Sequence, residues 1–397
     1  MSWSVAKLCD VAPAKPLKPA LVDYDVDVWQ VTLDHIEPDT GRVLQRNIRP
    51  VSEAGASTHW FDENYVLYSK LRPYLNKVLL PDRIGLGTTE LVPMLPDKEL
   101  LDRSYLALYL RSPKFVNWVS SQTAGAKMPR VSMKVFWEHE IPLPPLEEQK
   151  RIVTILDKAD TLRRKRQQAI QLADEFLRAV FLDMFGDPAT NPKNWTTLPI
   201  GDLTSDWRGG SSMKPGDFAE TGFPVLHKGA IHRNGKVLID GKKKTHVSEE
   251  YARKNSRSIV DRDYMAVTLR DLVPTGPSIG LIADLSKYDT PQYMLSQGAY
   301  GFRIERERLV PSFLVALSNS PGFRVALSKI WVGSTQIHIR NGDFKDLAIP
   351  VPDFELLEKY QKIVDATQAR LEHFGEFSAL SNDFFSSVSS AAFSGTL

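Results

Sequence analysis

From Ile152 onward the apolar residues fall at alternating steps of four and three: Ile152, Leu156, Ala159, then Ile170, Ala173, Leu177, Val180 and Met184. That spacing draws one apolar stripe along an α-helix, in the manner of a heptad seam. Two rungs, Arg163 and Arg166, are basic and interrupt it within the run RRKR at 163–166. A second ladder near the end of the chain repeats the rule with Tyr360, Val364, Thr367, Leu371, Phe374, Phe385, Val388 and Ala392. A short apolar run ending in proline precedes each ladder, and proline is compatible with helix entry. The pattern predicts helices over 144–187 and 352–397, the first about 60 Å long at 1.5 Å per residue. A lone amphipathic helix of that length leaves its seam wet. Either the two pair, antiparallel, and hold the globular parts apart, or each folds back on its neighbouring globular part; the length of both ladders favours pairing.

The segments before the helices are related. At a constant offset of 208, Gly125 matches Gly333, Phe136 matches Phe344, Ile141 matches Ile349, and Pro142 and Pro144 match Pro350 and Pro352. YLALYLRSPKF at 105–115 matches FLVALSNSPGF at 313–323, and Trp3 with Asp10 is echoed by Trp195 with Asp202. An ordered series of this kind indicates internal duplication, the alternative being two unrelated domains that share a helix-turn-strand ending. The predicted limits are a globular domain at 1–143, a helix at 144–187, a globular domain at 188–351 and a helix at 352–397. GDPATNPKNW at 186–195 is rich in turn formers and suits a helix stop. Inside the globular parts, 65–70 and 77–80 read as strands. Residues 104–121 read as a helix mirrored at 311–329, and 225–240 as two strands around an Asn234-Gly235 hairpin signal. Short strands, abundant turns and one recurring helix make the fold class α+β.

Composition changes this picture little. The 397 residues are 42% hydrophobic and 25% charged with net charge +2, ordinary for a globular chain of two or three domains. Divided by segment, 1–143 and 144–187 balance, 188–350 carry 22 basic against 16 acidic residues, and 351–397 carry 3 against 7. A polyanion-binding surface is therefore expected in the third segment and only locally elsewhere. Cys9, the one cysteine, excludes an internal disulfide framework. Without a membrane-length apolar run or a signal-like N-terminus, the expected location is cytoplasmic.

Catalytic signatures are missing. There is no phosphate loop and no dinucleotide fingerprint. The string Asn191-Pro192-Lys193 lacks the second proline and aromatic of an amino-methyltransferase loop. His227 and His232 have no nearby carboxylates for a metal. Glu148 and Lys150 lie at the start of an amphipathic helix, where a solvated face outweighs a nuclease pair. Cys9 reads as a small buried hydrophobe. No catalytic residue and no metal site are expected.

Binding features are easier to find. SKLRPYLNK at 69–77 combines Lys70, Arg72 and Lys77 with Tyr74 and Asn76, groups suited to a DNA edge. The loop before the final strand carries Lys127 and Arg130 in the first repeat, and Gln336, His338 and Arg340 in the second. Shared frames with unlike polar tips are suited to reading unlike sequences. Lys228, Arg233, Lys242, Lys243 and Lys244 supply charge for phosphates. For each side chain the alternative is an ordinary solvated surface position; the clustering carries the reading.

IPLPPLEEQKRIVTILDKADTLRRKRQQAIQLADEFLRAVFLDMFGDP at 141–188 resembles the central spacer of the specificity subunits of type I restriction-modification systems. Residues 61–78 and 223–237 resemble their target-recognition domains, and the likeness extends over essentially the whole chain. It implies two target-recognition domains separated by antiparallel spacer helices that act as a ruler, each domain binding half of a split site on double-stranded DNA. It further implies no catalysis by this chain. Two methylation subunits would supply S-adenosylmethionine chemistry on adenine, and a restriction subunit would supply ATP-driven translocation and cleavage; S-adenosylmethionine, ATP and magnesium would belong to those partners. The second spacer departs from the first by about three extra residues at its start and a serine-rich tail. The residues themselves leave two other readings open, a self-sufficient methyltransferase or nuclease and a structural adaptor without a DNA role.

Overall fold

Each globular part closes by pairing its first strand with its last. Val5–Lys7 runs antiparallel to Glu140–Pro142, and Thr196–Pro199 runs antiparallel to Ala348–Val351. Ile141 and Ile349, the inward residues of the closing strands, are fully buried. Pro142 and Pro350 sit in two-stranded pairings, where a missing N–H is tolerated. The structure, a computed structural model, describes residues 3–19, 23–125, 127–239, 245–273, 275–375 and 379–396, of which 372–375 and 379–386 are described by backbone alone.

Between the closing strands both parts build two sheets in matching order, of four and three strands in the first part and of five and four in the second, where Phe218–Ala219 and Thr204–Gly209 add an edge strand each. In the first part, Asn47–Pro50, Asp27–Val31, Gly85–Thr88 and Thr58–Phe61 lie side by side in that order, with the middle pair parallel. In the second, His246–Val247, Phe223–Leu226, Gln292–Leu295 and Ile259–Asp261 repeat the order and the parallel pair. Val66–Ser69 is the centre of the other sheet in the first part, and Met265–Thr268 is flanked on both sides in the second. Two helices follow in each, Arg103–Arg111 with Pro113–Ser121 and Pro311–Asn319 with Pro321–Ser328. At the joint between them, Ser112 and Ser320 accept a bond from the N–H of Phe115 and Phe323 respectively, capping the second helix at the repeated Ser-Pro. The duplicated α+β organisation is therefore present in the central strands of both sheets and in the helix pair. The Asn234-Gly235 turn forms with both residues at positive φ, 58° and 69°. It is flanked only by the single Ile231–Val237 bridge rather than by two strands.

Three helices complete the chain: α1 (Leu146–Phe185), α2 (Phe354–Gly375) and α3 (Ala379–Ser394). Within the stretch 352–397, where one helix is expected, α2 and α3 are the described helical parts, and residues 376–378 between them lie outside the described residues. Contacts divide the chain into one unit of Met1–Gln167 with Phe374–Leu397 and another of Gln168–His373. In the first unit Ile152 and Leu156 of α1 share a core with Tyr105, Phe136, Ile141 and, from the end of α3, Ala392 and Phe393. The Phe393 ring meets Tyr105 and Tyr109 edge-on at 5.4 and 5.2 Å. In the second unit Phe181 and Phe185 of α1 pack on Phe313 and on Tyr360 of α2, with ring centroids 5.1 to 5.8 Å apart. The start of α1 thus meets the end of α3, and its end meets the start of α2, the order of an antiparallel pairing.

The seam needs correction in detail. Ile152, Leu156, Tyr360 and Val364 are buried, but Leu177 and Val180 are only partly so, and Ile170 and Leu371 are half-buried. Phe181 and Phe185, one step round the helix, take the deepest positions because they also reach the domain helix carrying Phe313. Each helix end is therefore shared between a partner helix and a globular core, so the two arrangements weighed from the sequence coexist. The side chains of Phe374 and Phe385 lie outside the described residues. Midway along α1, Arg163 and Arg164 each bond Asp160 on their own helix, at 2.8 and 3.1 Å.

Removing a buried aromatic ring costs about 3–5 kcal/mol. Phe393→Ala is therefore expected to destabilise the first unit by about that amount, measured by chemical denaturation of the full chain. An unchanged transition would contradict the packing of α3 on that core.

Candidate nucleic-acid interface

The same local device stands at the end of the central strand in both domains. In the first, Thr123–Ala124 and Arg130–Val131 form a short hairpin turned at Gly125, whose φ is 100°. Its return strand docks on the chain leaving Val66–Ser69: the N–H of Val131 donates to the Lys70 carbonyl at 3.1 Å, and that of Arg72 to the Pro129 carbonyl at 2.7 Å. In the second, Gly333 has φ of 104°, Val332 bridges His338, and the N–H of Ile339 donates to the Leu269 carbonyl at 2.9 Å. A Cβ at Gly333 would come within 2.2 Å of the Gln336 carbonyl oxygen, so this turn requires glycine. Arg270–Asp271 pairs antiparallel with Ile337–His338.

The sequence-nominated side chains divide by how the protein already uses them. Arg72 and Tyr74 are exposed, and Arg72 has φ of 48°, a left-handed position. Lys127 is exposed on the hairpin. Arg130 is also exposed, but its guanidinium holds Glu90 through Nε and Nη2, the latter at 2.8 Å. That pairing, with Lys70 a lesser contributor, keeps the Glu90 carboxyl below the usual carboxylate range. Asn76 is a correction: it is buried, and its side chain donates to Asp39 and to the Arg111 carbonyl, both at 3.1 Å. Lys77 is half-buried, its ammonium donating to the Leu33 carbonyl at 2.7 Å. These two donors hold the Arg72–Asn76 turn in place. Asn76 is thereby withdrawn from its surface, and Lys77 has one donor already engaged.

In the second domain Gln336 and Arg340 are exposed, and His338 is half-buried opposite Arg270. Lys228 lies close enough to Arg270 to feel it: burial first, and then the Arg270 charge, lower its ammonium below the ordinary lysine value. The structure thus brings Lys228 and His338, distant in sequence, together around Arg270, which sequence reading missed. In the fold Arg270 stands where the first domain has Leu71, since Leu71 bridges Arg130 as Arg270 pairs with His338, while the match visible in the sequence is Leu71-Arg72 with Leu269-Arg270 at an offset of 198. Arg233 is exposed at the Asn234 turn. Lys242, Lys243 and Lys244 lie outside the described residues. Among the described residues no group of three His, Cys, Asp or Glu side chains could hold a metal ion, and no helix is long and apolar enough to cross a membrane. The arrangement offers hydrogen-bond donors and positive charge on two unlike tips, the chemistry of phosphate and base-edge contact.

Removing the Arg130 guanidinium takes away the main influence holding Glu90 ionised. In Arg130→Gln the Glu90 carboxyl is expected to titrate at higher pH than in the parent chain, followed by carboxyl-carbon NMR; an unmoved titration would show the pair is not formed in solution.

Among known protein families, the one described as type I restriction modification DNA specificity domain matches residues 88–172 and 192–375. The type I restriction enzyme MjaVIII specificity subunit of Methanocaldococcus jannaschii is 26% identical over 283 residues, 68% of this chain and 64% of that protein. The EcoDI specificity subunit of Escherichia coli is 24% identical over 52% of this chain and 44% of its own length. The chain therefore spans less than two thirds of either relative. Among solved structures, the type I restriction-modification S subunit from M. genitalium aligns with a TM-score of 0.60 at 14% identity, covering 99% of this chain and 96% of that one. A chain from a structure on complex assembly and conformational transition of the type I R-M system aligns at 0.55 and 18%, covering 100% and 98%. At such identities these structures speak to the fold alone.

Proposed function

This chain belongs to the type I restriction-modification DNA specificity family, and from that premise we propose that it reads a bipartite, gapped site on double-stranded DNA, one half per domain. The observation that carries the reading is the repeated device itself: two copies of one strand-end and glycine hairpin, with Arg72, Tyr74 and Lys127 on one and Arg270, Gln336 and His338 on the other. Identical frames with different tips suit two different half-sites. Lysines and arginines of both domains would contact phosphates, and the tips would contact base edges.

In this reading the chain performs no catalysis and works in the cytoplasm. Two methylation subunits and a restriction subunit dock on it and bring S-adenosylmethionine, ATP and magnesium with them, and the continuous helix α1 sets the gap in the site. The runs at 141–188, 61–78 and 223–237 that resemble the family support this assignment. A self-sufficient enzyme is disfavoured by the missing catalytic motifs.

Replacing Lys127 and Arg130 together with alanine is expected to weaken DNA retention by the purified complex, with assembly intact. The salt slope should fall by about one for each phosphate that the variant no longer neutralises. Unchanged binding removes that hairpin from the interface. Proline at Ala173 is expected to cost α1 about 3 kcal/mol or more and to disturb assembly and the spacing of methylated half-sites. Preserved spacing would end the role given to the helix.

A further inference from the structure

The loop that follows Arg270 is built in an unusual way. Asp271 is buried, and its carboxylate accepts from the Ser278 hydroxyl at 2.6 Å, the Ser278 N–H at 2.9 Å and the Val273 N–H at 3.3 Å. Burial alone would push this carboxyl up, but those bonds outweigh it and hold it below its ordinary value. From the helix Pro321–Ser328, Arg324 donates to the Gly276 carbonyl at 2.6 Å and to the Ile279 carbonyl. Trp331 and Ile337, from the hairpin that carries Gln336, close over Gly276. Three elements therefore hold one loop, the strand end and the helix by polar groups and the hairpin by apolar contact.

What the loop presents to water is aliphatic. Leu272 is 56% exposed and Val273 is 43% exposed. They follow directly on the Arg270–Asp271 pairing with Ile337–His338, beside the cationic groups Lys228 and Arg270. The strand-end loop of the first domain also exposes an apolar body, that of Tyr74, 52% exposed. Each domain thus exposes an apolar group on its strand-end loop. The surrounding chemistry differs: a ring with a hydroxyl in one case, two neighbouring aliphatic side chains in the other.

Resting on the DNA reading above, we infer that Leu272 and Val273 are specificity-determining residues of the second domain, recognising the 5-methyl group of thymine in the major groove. Aliphatic side chains carry no hydrogen-bonding information, and the thymine methyl is the one apolar feature on a major-groove base edge. The adjacent cations would draw the phosphates in and bring the aliphatic pair to the groove floor. Pinning the loop by Asp271 and Arg324 fixes where the contact falls. The second half-site accordingly contains a thymine that is read through its methyl group and not through a hydrogen bond.

The experiment selects 30-bp random duplexes on the full chain in its native complex, wild type against Leu272→Ala/Val273→Ala. It then replaces thymine by uracil at each position of the enriched site. Wild type is expected to lose about fourfold in affinity at one or two thymines of one half-site, the effect of one buried methyl group each. The double variant is expected to lose preference at those positions alone and to become indifferent to uracil there. If the alanine variant erases that whole half-site, Leu272→Asn/Val273→Ser, which puts polar side chains without a methyl group at the same places, must restore all but the thymine positions; erasure again overturns the inference. An unaltered motif in the variant overturns it too, as does an A·T preference indifferent to uracil in wild type, which would mark a minor-groove wedge. A wild-type complex that enriches no motif at all would instead overturn the DNA reading beneath it.

Discussion

The structure depends on apolar burial shared between the ends of α1 and the two globular cores. Helix formation has a costly nucleus, and most helical stability in proteins comes from packing an amphipathic face. Ile152 and Leu156 meet that need at one end, in the core that also takes Phe393. Phe181 and Phe185 meet it at the other, against Phe313 and Tyr360. Between these ends the helix carries its basic run, with Arg163 and Arg164 held by Asp160. Strand pairing then fixes where each domain joins a helix: the strand carrying Ile141 ends just before α1, and the strand carrying Ile349 ends just before α2.

The second constraint is how polar groups are divided between structure and surface. Asn76 and Lys77 in the first domain, and Asp271 and Arg324 in the second, satisfy backbone groups within loops, as buried or half-buried polar atoms must. Their work leaves neighbouring side chains, Arg72 and Tyr74 or Leu272 and Val273, exposed on backbone that is held in place. A recognition surface needs this separation, since a side chain that must stabilise its own loop cannot also be given to a ligand. Arg130 stands between the classes, exposed yet already paired with Glu90.

Duplication makes the division easy to see. The two domains agree in sheet order, in the parallel strand pair, in the serine caps and in the positive-φ hairpin glycines. They diverge at the loop tips. Backbone geometry and core burial tolerate few changes, while an exposed tip can change without cost to the fold, so one scaffold can carry two chemistries.

The sequence by itself determined the duplicated α+β plan, the helix α1, the shared loop before each closing strand and the family resemblance. Each of these rests on local periodicity, turn chemistry or a repeated motif, and such signals are written along the chain. Tertiary structure alone decided that Phe181 and Phe185, rather than Leu177 and Val180, lie deepest, because that depends on a domain helix more than a hundred residues away. It alone separated Arg72 from Asn76 and Lys77, three polar residues of one short run with no difference in local pattern. It also gathered Lys228 and His338 around Arg270, and left Leu272 and Val273 in water, where composition would have placed them in a core. Burial and pairing are set by what the rest of the chain brings alongside, and no single stretch of sequence contains that.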